Sequence, residues 1–188
     1  RVHSADEAEQ AVAVARGAGF TAINLDLMYA LPGDDAAGSI ADLTRAIALQ
    51  PGHVSWYQLT LEPNTAFERR PPALPEDELV AEIEMRGREL LREAGYERYE
   101  VSAYAQVGRR CRHNLNYWQF GDYLGLGAGA HGKVTHKNPA LVERRAKTRN
   151  PRTYQQTAGQ AAAVNCEHIA TPHQVAVEFL LNALRLPG

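Results

Sequence analysis

Strand-like and helix-like segments alternate through the first 105 residues, and this alternation restricts the fold more than any other feature of the chain. Residues 22–31 form a mostly apolar run that ends at a Pro-Gly pair, and residues 54–63 are rich in β-branched and aromatic side chains. Both patterns are typical of buried strands, and residues 99–104 alternate in the manner of a third strand. A helical pattern precedes each strand, which predicts an α/β fold with a parallel sheet and helices outside it.

Capping signals and helix breakers support the predicted helices. Ser4 and Glu7 have the spacing of a capping box at the start of the first helix. Asp34 or Asp35 is expected to cap the second helix, and the longest helix follows a proline-rich loop at residues 64–75. The helix boundaries therefore agree with the strand assignments.

Polar residues in the predicted strands indicate a binding site. Asp26 lies in an otherwise apolar run, where an unpaired buried charge costs several kcal/mol. It is therefore expected either to hold a neighbouring loop through backbone hydrogen bonds or to face a ligand. In parallel sheets and barrels, ligands bind at the carboxyl ends of the strands, which is where Tyr29, Thr60 and Glu62 are expected.

A segment of unusual composition follows the third strand, at residues 111–133. Its first half contains the string HNLNYW, which starts at His113 and is expected to form a loop of polar and aromatic side chains. Such side chains stack on a planar ligand, although a solvent-exposed turn explains the pattern equally well. Its second half, the glycine segment at residues 122–132, predicts a strand whose glycines serve mainly for tight packing. The glycine segment lacks the spacing of a phosphate-binding loop, and His131 near its end is a site candidate by position alone.

The remaining residues predict a hairpin and two helices. Residues 133–142 are expected to form the hairpin around a turn at Asn138 and Pro139, and the arginine-rich run after it is expected to be a solvated edge. Residues 151–163 are expected to form a short helix, and Thr171 is expected to cap an amphipathic last helix.

The composition of the chain argues against several classes of function. The formal net charge is −2, so nothing draws the chain as a whole to nucleic acid. No apolar run approaches the roughly 18 residues of a membrane-spanning helix. Cys111 and Cys166 form neither a disulfide framework nor a metal motif, and a reducing, cytoplasmic setting is therefore expected.

Three motifs occur in the same order as in one known family. They are INLDLMYALPG, SWYQLTLEPNT, and CRHNLNYW followed by GDYLGLGAGAHGK, and they lie within residues 20–133. Through these motifs the chain resembles the HemW-type haem chaperones, relatives of the oxygen-independent coproporphyrinogen III dehydrogenases in the radical S-adenosylmethionine superfamily. The His-Asn-x-x-Tyr-Trp string is similar to that of the chaperone branch rather than the dehydrogenases.

The resemblance implies a fold and a domain organisation. The family fold is an incomplete (β/α)₆ barrel followed by a small helical C-terminal domain, and the chain is expected to be the C-terminal part of it. Residues 1–105 would then form βα units of the partial barrel, and residues 106–150 would complete the core domain with a glycine-rich strand and a hairpin. Residues 151–188 would be the start of the helical domain.

The resemblance also implies two groups of binding residues. S-adenosylmethionine is expected at Asp26, Thr60 and His131. Haem is expected at four residues of the aromatic string, which are His113, Asn114, Tyr117 and Trp118.

The chain departs from the family pattern in two places. The Cys-x-x-x-Cys-x-x-Cys motif that holds a [4Fe–4S] cluster is absent, and two cysteines do not replace its three thiolates. We therefore expect no metal ligands in this chain, the cluster cysteines in a part of the protein before it, and no activity of the chain alone. Ala30 stands where the family usually has glycine, which adds a methyl group close to the expected cofactor.

The implied function is to bind haem and to deliver it to haem-requiring membrane enzymes. The alternative is an oxygen-independent coproporphyrinogen III dehydrogenase, which decarboxylates propionate side chains oxidatively through a 5′-deoxyadenosyl radical. A third alternative is an unrelated α/β ligand-binding fragment. The resemblance agrees with a cytoplasmic protein that does not bind nucleic acid, and it leaves open a peripheral position at the membrane, a homodimer, and whether the whole protein is an enzyme.

Overall fold

The computed structural model describes residues 3–137 and 140–187. The chain divides into two compact units, an N-terminal unit at Arg1–Cys111 and a C-terminal unit at Arg112–Leu186. Among the described residues, no helix is both long enough and apolar enough to cross a membrane. The three-part division made from the sequence stays a prediction.

The N-terminal unit is built from helices and strands in near alternation. In chain order its elements are α1 (Ala5–Gly17), β1 (Asn24–Tyr29), α2 (Ala36–Ala48), β2 (His53–Gln58), α3 (Ala66–Arg69), α4 (Asp77–Glu93), β3 (Glu97–Glu100) and β4 (Ala103–Ala105). The short helix α3 lies within the segment expected to be a loop, and the longest helix is α4, as predicted.

Side-chain caps begin the first two helices. Ser4 and Glu7 form the predicted capping box, in which Ser4 Oγ accepts from the Glu7 amide at 3.2 Å and Glu7 Oε2 accepts from the Ser4 amide at 2.8 Å. Asp35 is the cap of α2 and accepts from the Gly38 amide at 2.7 Å. Asp34 instead accepts from Ser39 Oγ at 2.7 Å. Both helix starts therefore lie where the sequence signals place them.

The sheet of the N-terminal unit is mixed, with strand order β1-β2-β4-β3. β1 and β2 pair in parallel, as predicted. The prediction of a third parallel strand at residues 99–104 is wrong, because the chain turns at Val101 and Ser102 and forms two short antiparallel strands. The buried Glu100 closes this turn, since its Oε1 accepts a 2.8 Å hydrogen bond from the Ser102 amide. β4 consequently runs antiparallel to β2.

Strand β1 is buried on one face and not on both. Burial alternates along the strand, with Asn24, Asp26 and Met28 exposed and Tyr29 buried. The prediction that this run is a buried strand is therefore wrong for the face that carries Asp26. Within the N-terminal unit that face of the sheet is open.

The core of the N-terminal unit packs α2 and α4 against the sheet. Leu43, Val54, Ile83 and Leu91 are fully buried in it. At Gly87 on α4, a Cβ atom would lie 1.9 Å from the indole ring of Trp56, so the helix meets the sheet through a residue without a side chain.

The C-terminal unit is a three-stranded antiparallel sheet with helices. Its elements are α5 (Arg112–Trp118), β5 (His131–Lys137), β6 (Ala140–Lys147), α6 (Pro151–Thr157), a 3₁₀ turn (Ala161–Ala163), β7 (Val164–Ala170) and α7 (Pro172–Ala183). The strand order is β5-β6-β7. β5 and β6 pair as a hairpin, and the predicted turn residues Asn138 and Pro139 lie outside the described residues. Thr171 caps α7 through a capping box with Gln174, as predicted.

Three elements of the C-terminal unit differ from the sequence-based expectations. The string expected to be a loop forms helix α5. The glycine segment is irregular up to β5, apart from one bridge between Tyr123 and Lys133. Gly127 and Gly129 have φ angles of +105° and +72°, which residues with a side chain rarely adopt, and they prevent a regular strand. The third difference is β7, which the sequence did not predict. Because β7 pairs with β6, the arginine-rich run lies in the middle strand of the sheet, and the expectation of a solvated edge is wrong.

Candidate functional site

Helix α5 arranges the aromatic string into a stack. His113 and Tyr117 are four residues apart, so they share one face of the helix, and their rings meet edge to face at 4.8 Å. The ring of Tyr117 also packs against the ring of Tyr123 in the glycine segment, with ring centroids 4.3 Å apart. The result is a row of three rings in contact, of which the sequence indicated the first two.

The other two residues of the string lie on a different face of α5. Asn114 and Trp118 are also four residues apart. The guanidinium of Arg185 lies 4.3 Å from the centre of the Trp118 ring, which is a cation–π contact. The Trp118 indole Nε1 is buried and has no hydrogen-bond partner among the residues that the structure describes. Trp118 therefore packs within the C-terminal unit, and it also borders the row of rings, with its ring centroid 6.5 Å from that of Tyr117.

Two asparagines fix α5 in place. Asn116 donates to the backbone oxygen of Asp122 at 3.0 Å, and Asn182 of α7 donates to the backbone oxygen of Tyr117 at 3.0 Å. A Cβ atom at Gly121 would lie 2.1 Å from Asn116 Oδ1. The glycine therefore lets the chain turn closely around the end of the helix.

A buried lysine ties the glycine segment to β5. Lys133 is 2% exposed, and its ammonium donates to the Phe120 backbone oxygen at 2.8 Å, Asp122 Oδ1 at 2.8 Å and Thr135 Oγ1 at 3.0 Å. Partial desolvation on its own would raise the pKa of Asp122. The hydrogen bonds from Lys133 and Thr135, with the lysine charge, outweigh it and lower the pKa to about 2.

An arginine links β6 to α7 and to the row of rings. Arg144 donates through Nη1 to the Tyr123 hydroxyl at 3.0 Å, and its Nη2 forms an ion pair with Glu178. Its Nε is buried and finds no acceptor within the described parts of the chain. Arg144 therefore orients the ring of Tyr123 and holds α7 against the sheet.

These elements enclose a cavity of about 420 Å³. This size is within the range of roughly 300–1,000 Å³ for small-molecule sites. Its aromatic wall consists of Tyr117, Phe120 and Tyr123. Basic side chains from the sheet line it at His131, Lys133, Arg144 and His168, and α7 contributes Glu178, Leu181 and Asn182. An aromatic wall beside basic groups fits a planar, largely apolar ligand.

The N-terminal unit carries a second arrangement of polar groups, around Asp26. Asn24 Nδ2 donates to Asp26 Oδ1 at 2.7 Å, and Asn24 Oδ1 lies 2.6 Å from His53 Nδ1. His53 Nε2 lies 2.6 Å from the Tyr99 hydroxyl. Asp26, Asn24, His53 and Tyr99 form a chain of hydrogen bonds that we call the Asp26 relay.

The chemistry of the groups sets the direction of the Asp26 relay. A carboxylate only accepts, so the amide nitrogen of Asn24 faces Asp26 and its oxygen faces His53. His53 therefore donates from Nδ1, and its Nε2 accepts from the Tyr99 hydroxyl. Burial lowers the pKa of His53 and outweighs the nearby charges of Glu100 and Asp26, which raise it. A neutral imidazole thus supports an exposed carboxylate.

Two further expected residues lie near the end of the parallel strands. Thr60 follows β2, is exposed, and donates to Glu62 Oε1 at 2.9 Å. Ala30 is 2% exposed and has a φ of 59°, in the left-handed region that favours glycine. The glycine that the family usually has at this position therefore suits the left-handed backbone found here.

The structure separates the expected binding residues by unit. Asp26 and Thr60 lie in the N-terminal unit, whereas His131 and the aromatic string lie in the C-terminal unit. Their roles toward S-adenosylmethionine and haem stay predictions. The sequence analysis missed five residues at the cavity or its borders: Asp122, Lys133, Arg144, His168 and Glu178. Glu178 had a signal, since it is a lone carboxylate in an apolar helix and needs a partner.

The described residues do not fit an iron–sulfur cluster. No group of three or more histidine, cysteine, aspartate or glutamate side chains within residues 3–137 and 140–187 is placed to hold a metal ion. Cys111 is half-buried and free. Because three thiolates are needed and the chain has two cysteines, the residues of this chain do not form the ligand set of a cluster.

Comparisons with known proteins agree with these features. No family model matches the chain. The chain is 47% identical over 186 residues to heme chaperone HemW of Escherichia coli (strain K12), which covers 99% of this chain and 48% of that protein. It is 46% identical over 186 residues to heme chaperone HemW of Haemophilus influenzae, with 99% and 47% covered. The chain spans about half the length of these curated relatives.

A solved structure shows the same fold. Coproporphyrinogen III oxidase (HemN) from Escherichia coli, described as a radical SAM enzyme, superposes with a TM-score of 0.77 at 19% identity, over 99% of this chain and 45% of that one. The predicted α/β fold is therefore confirmed. The chain belongs to the HemW family, which confirms the resemblance inferred from its motifs.

Proposed function

We propose that this chain is the haem-binding part of a haem chaperone, which binds haem and delivers it to haem-requiring membrane enzymes. The observation that carries the proposal is the cavity of the C-terminal unit, where Tyr117 of the family string lies in the aromatic wall. The names of the curated relatives, heme chaperone HemW, support haem as the ligand.

The cavity suits the two chemical parts of haem differently. The macrocycle is flat and apolar, and stacking on Tyr117 or Phe120 contributes about 0.5–1.5 kcal/mol per ring beyond the area that is buried. The ionised propionates require donors, and His131, which lines the cavity from the sheet, offers an imidazole N–H. His113 acts on the ligand through the ring of Tyr117, on which it packs.

S-adenosylmethionine is proposed to bind at the open sheet face of the N-terminal unit. The exposed carboxylate of Asp26 would accept hydrogen bonds from hydroxyl or ammonium groups of the cofactor, and Asn24 orients this carboxylate. Bound next to a [4Fe–4S] cluster, the cofactor supplies radical chemistry in this superfamily. Because the chain has no ligand set for the cluster, anaerobic iron–sulfur reconstitution of these 188 residues alone is expected to give no cluster absorbance. Three to four bound irons per chain would contradict this.

The second candidate function is coproporphyrinogen oxidation, because the solved structure with the same fold is a coproporphyrinogen III oxidase. The string HNLNYW favours the chaperone. An assay of the full-length protein for conversion of coproporphyrinogen to protoporphyrinogen separates the two candidates. We expect no turnover, and measured turnover would show that the protein is not a chaperone alone.

A haem titration of the full-length protein tests the proposed function. His113→Ala removes the ring that packs on Tyr117, and it is expected to weaken haem binding several-fold. His136→Ala is the matched control, since His136 lies on the opposite face of the sheet, where its Nε2 is 2.9 Å from Glu143 Oε2. Equal dissociation constants for the two variants would exclude His113 from the site.

A further inference from the structure

Two imidazoles face the cavity from the sheet, at His131 in β5 and His168 in β7. Between β5 and β6, Lys133 lies opposite Arg144 and His131 lies opposite Ala146. Between β6 and β7, Arg144 lies opposite His168. Because alternate residues of a strand share a face, His131 and His168 lie on the same face as the floor of the cavity. Both are exposed, and neither imidazole has a hydrogen-bond partner among the described residues.

The other basic groups of the cavity already have partners. Lys133 makes three hydrogen bonds, and Arg144 is bound to Tyr123 and Glu178. Arg145 is paired with Glu143. Arg144 Nε lacks an acceptor, but a guanidinium has no lone pair to give to a metal. The nitrogen atoms left to bind iron are therefore imidazole nitrogens, which are common protein ligands of haem iron.

The surroundings of the two imidazoles differ. His131 lies near the end of the glycine segment, whose exposed leucines, Leu124 and Leu126, do not line the cavity. His168 lies opposite Arg144, and the ion pair of Arg144 with Glu178 brings α7 over this part of the sheet. One turn beyond Glu178, Leu181 lines the cavity and is 62% exposed.

Helix α7 offers more apolar surface than the C-terminal unit covers. Val177, Leu181 and Leu184 recur at helical spacing and are 41%, 62% and 77% exposed. An apolar stripe of this kind beside an imidazole without a partner matches the two needs of haem, which are a nitrogen ligand for the iron and apolar cover for the ring.

We propose that His168 supplies the imidazole that binds the haem iron, with the exposed stripe of α7 packed on the macrocycle and His113 positioning Tyr117. The inference rests on the proposed haem-binding function and names the iron ligand within that site. The imidazole nitrogen donates a lone pair to ferric iron to form one Fe–N bond. Nothing is oxidised or reduced in this step.

The test compares two porphyrins that differ only in the metal. Ferric haem and metal-free protoporphyrin IX are titrated into the full-length protein. His168→Ala is expected to weaken haem binding at least ~10-fold and to abolish the absorption spectrum of histidine-ligated haem, while protoporphyrin binding changes less than ~2-fold. Added imidazole is expected to restore the spectrum, because it replaces the missing iron ligand. Leu181→Ser is expected to weaken the binding of both porphyrins, because it touches the ring and not the iron.

Three results would overturn the assignment of His168. The first is a haem spectrum and affinity that His168→Ala leaves unchanged. The second is loss of the histidine-ligated spectrum in His131→Ala or His113→Ala instead. The third is equal weakening of haem and protoporphyrin by His168→Ala, which would indicate contact with the propionates or a structural role. Failure of the unmutated protein to bind haem would refute the proposed function itself, and the two failures are thus distinguishable.

Discussion

The two units place their polar side chains in opposite ways. In the N-terminal unit, Asp26 is exposed and is held by a relay of neutral groups that leads to the buried His53. In the C-terminal unit, Lys133 and Arg144 are bound to acidic partners on neighbouring elements. What remains for a ligand there is a set of aromatic rings and imidazoles.

This difference shows which ligand each unit suits. An exposed carboxylate, oriented from one side, binds a polar cofactor with hydrogen-bond donors. In a cavity whose charged side chains are paired with one another, the aromatic rings are the main groups that contact a ligand, and they suit a flat one. The proposed sites for S-adenosylmethionine and for haem follow this division.

The largest expected effect is the loss of the buried lysine. Lys133→Met removes an ammonium that joins Phe120, Asp122 and Thr135. We expect the free energy of unfolding to fall by ~3 kcal/mol, the low end for breaking a buried pair, because the Asp122 side chain is 45% exposed and regains water. Urea denaturation of the full-length protein measures it. Lys137→Met is the control at an exposed position of the same strand, and equal effects of the two variants would show that the pairing does not stabilise the C-terminal unit.

The Asp26 relay is expected to contribute less to stability than the buried lysine. Tyr99→Phe removes the hydroxyl that donates to His53 and accepts from the Cys111 amide at 3.3 Å. Leaving these buried groups unsatisfied is expected to cost about 2 kcal/mol. Tyr57→Phe changes an exposed tyrosine of the same unit and is expected to be neutral. An unchanged free energy of unfolding in Tyr99→Phe would show that the relay does not hold His53.

The two units are expected to lose stability in different ranges of pH. Burial lowers the pKa of His53, so the unfolded chain binds this proton more readily. The contribution of His53 to the free energy of unfolding is therefore complete above about pH 6.5. It decreases as the pH falls toward the lower pKa that His53 has in the folded protein. The pKa of Asp122 is lowered to about 2, so its contribution to stability is complete above the ordinary aspartate pKa of 3.8 and is lost as the pH falls through 2.

Unfolding measured from pH 7.5 down to pH 2 separates the two groups. His53→Gln is expected to flatten the pH dependence of the unfolding free energy from about pH 6.5 toward the lowered pKa of His53, and Asp122→Asn is expected to flatten it below about pH 4. If either variant flattened the other range, the assignment of these groups to the two ranges would be wrong.

The smallest expected effect is at Ala30. Ala30→Gly relieves a left-handed backbone, which costs about 1–2 kcal/mol in residues with a side chain. It also removes a buried methyl group worth ~0.8 kcal/mol and makes the unfolded chain more flexible. These effects nearly cancel, and the unfolding free energy is expected to change by less than about 1 kcal/mol. A larger loss would show that the methyl group packs an essential part of the core.

Local signals predicted the helix starts and the paired strands β1 and β2. Ser4 with Glu7 and Thr171 with Gln174 specify their helices through contacts three residues apart, which a sequence displays directly. The strand β7 lacked such a signal. β7 forms by pairing with β6, where Val142 lies opposite Ala170. These two residues are far apart in the sequence, so no local pattern predicts the strand.

The candidate site was predictable only where its residues stand close together in the chain. The string from His113 to Trp118 was recognised, but its helical form depends on contacts such as that of Asn182 with the Tyr117 backbone oxygen. His168 reaches the cavity through the pairing of β6 with β7. The exposure of Asp26 was missed because an apolar run does not tell which face of the strand is covered.

The central claim is that the cavity of the C-terminal unit binds haem through its aromatic wall. The most direct measurement is a haem titration of the full-length protein with Tyr117→Leu, next to Tyr57→Leu, which alters an exposed tyrosine of the N-terminal unit. The account predicts that Tyr117→Leu raises the dissociation constant of haem at least ~10-fold, as expected for loss of a ring contact worth about 1.5 kcal/mol. It predicts no change for Tyr57→Leu. Equal affinities for haem in the two variants would contradict it.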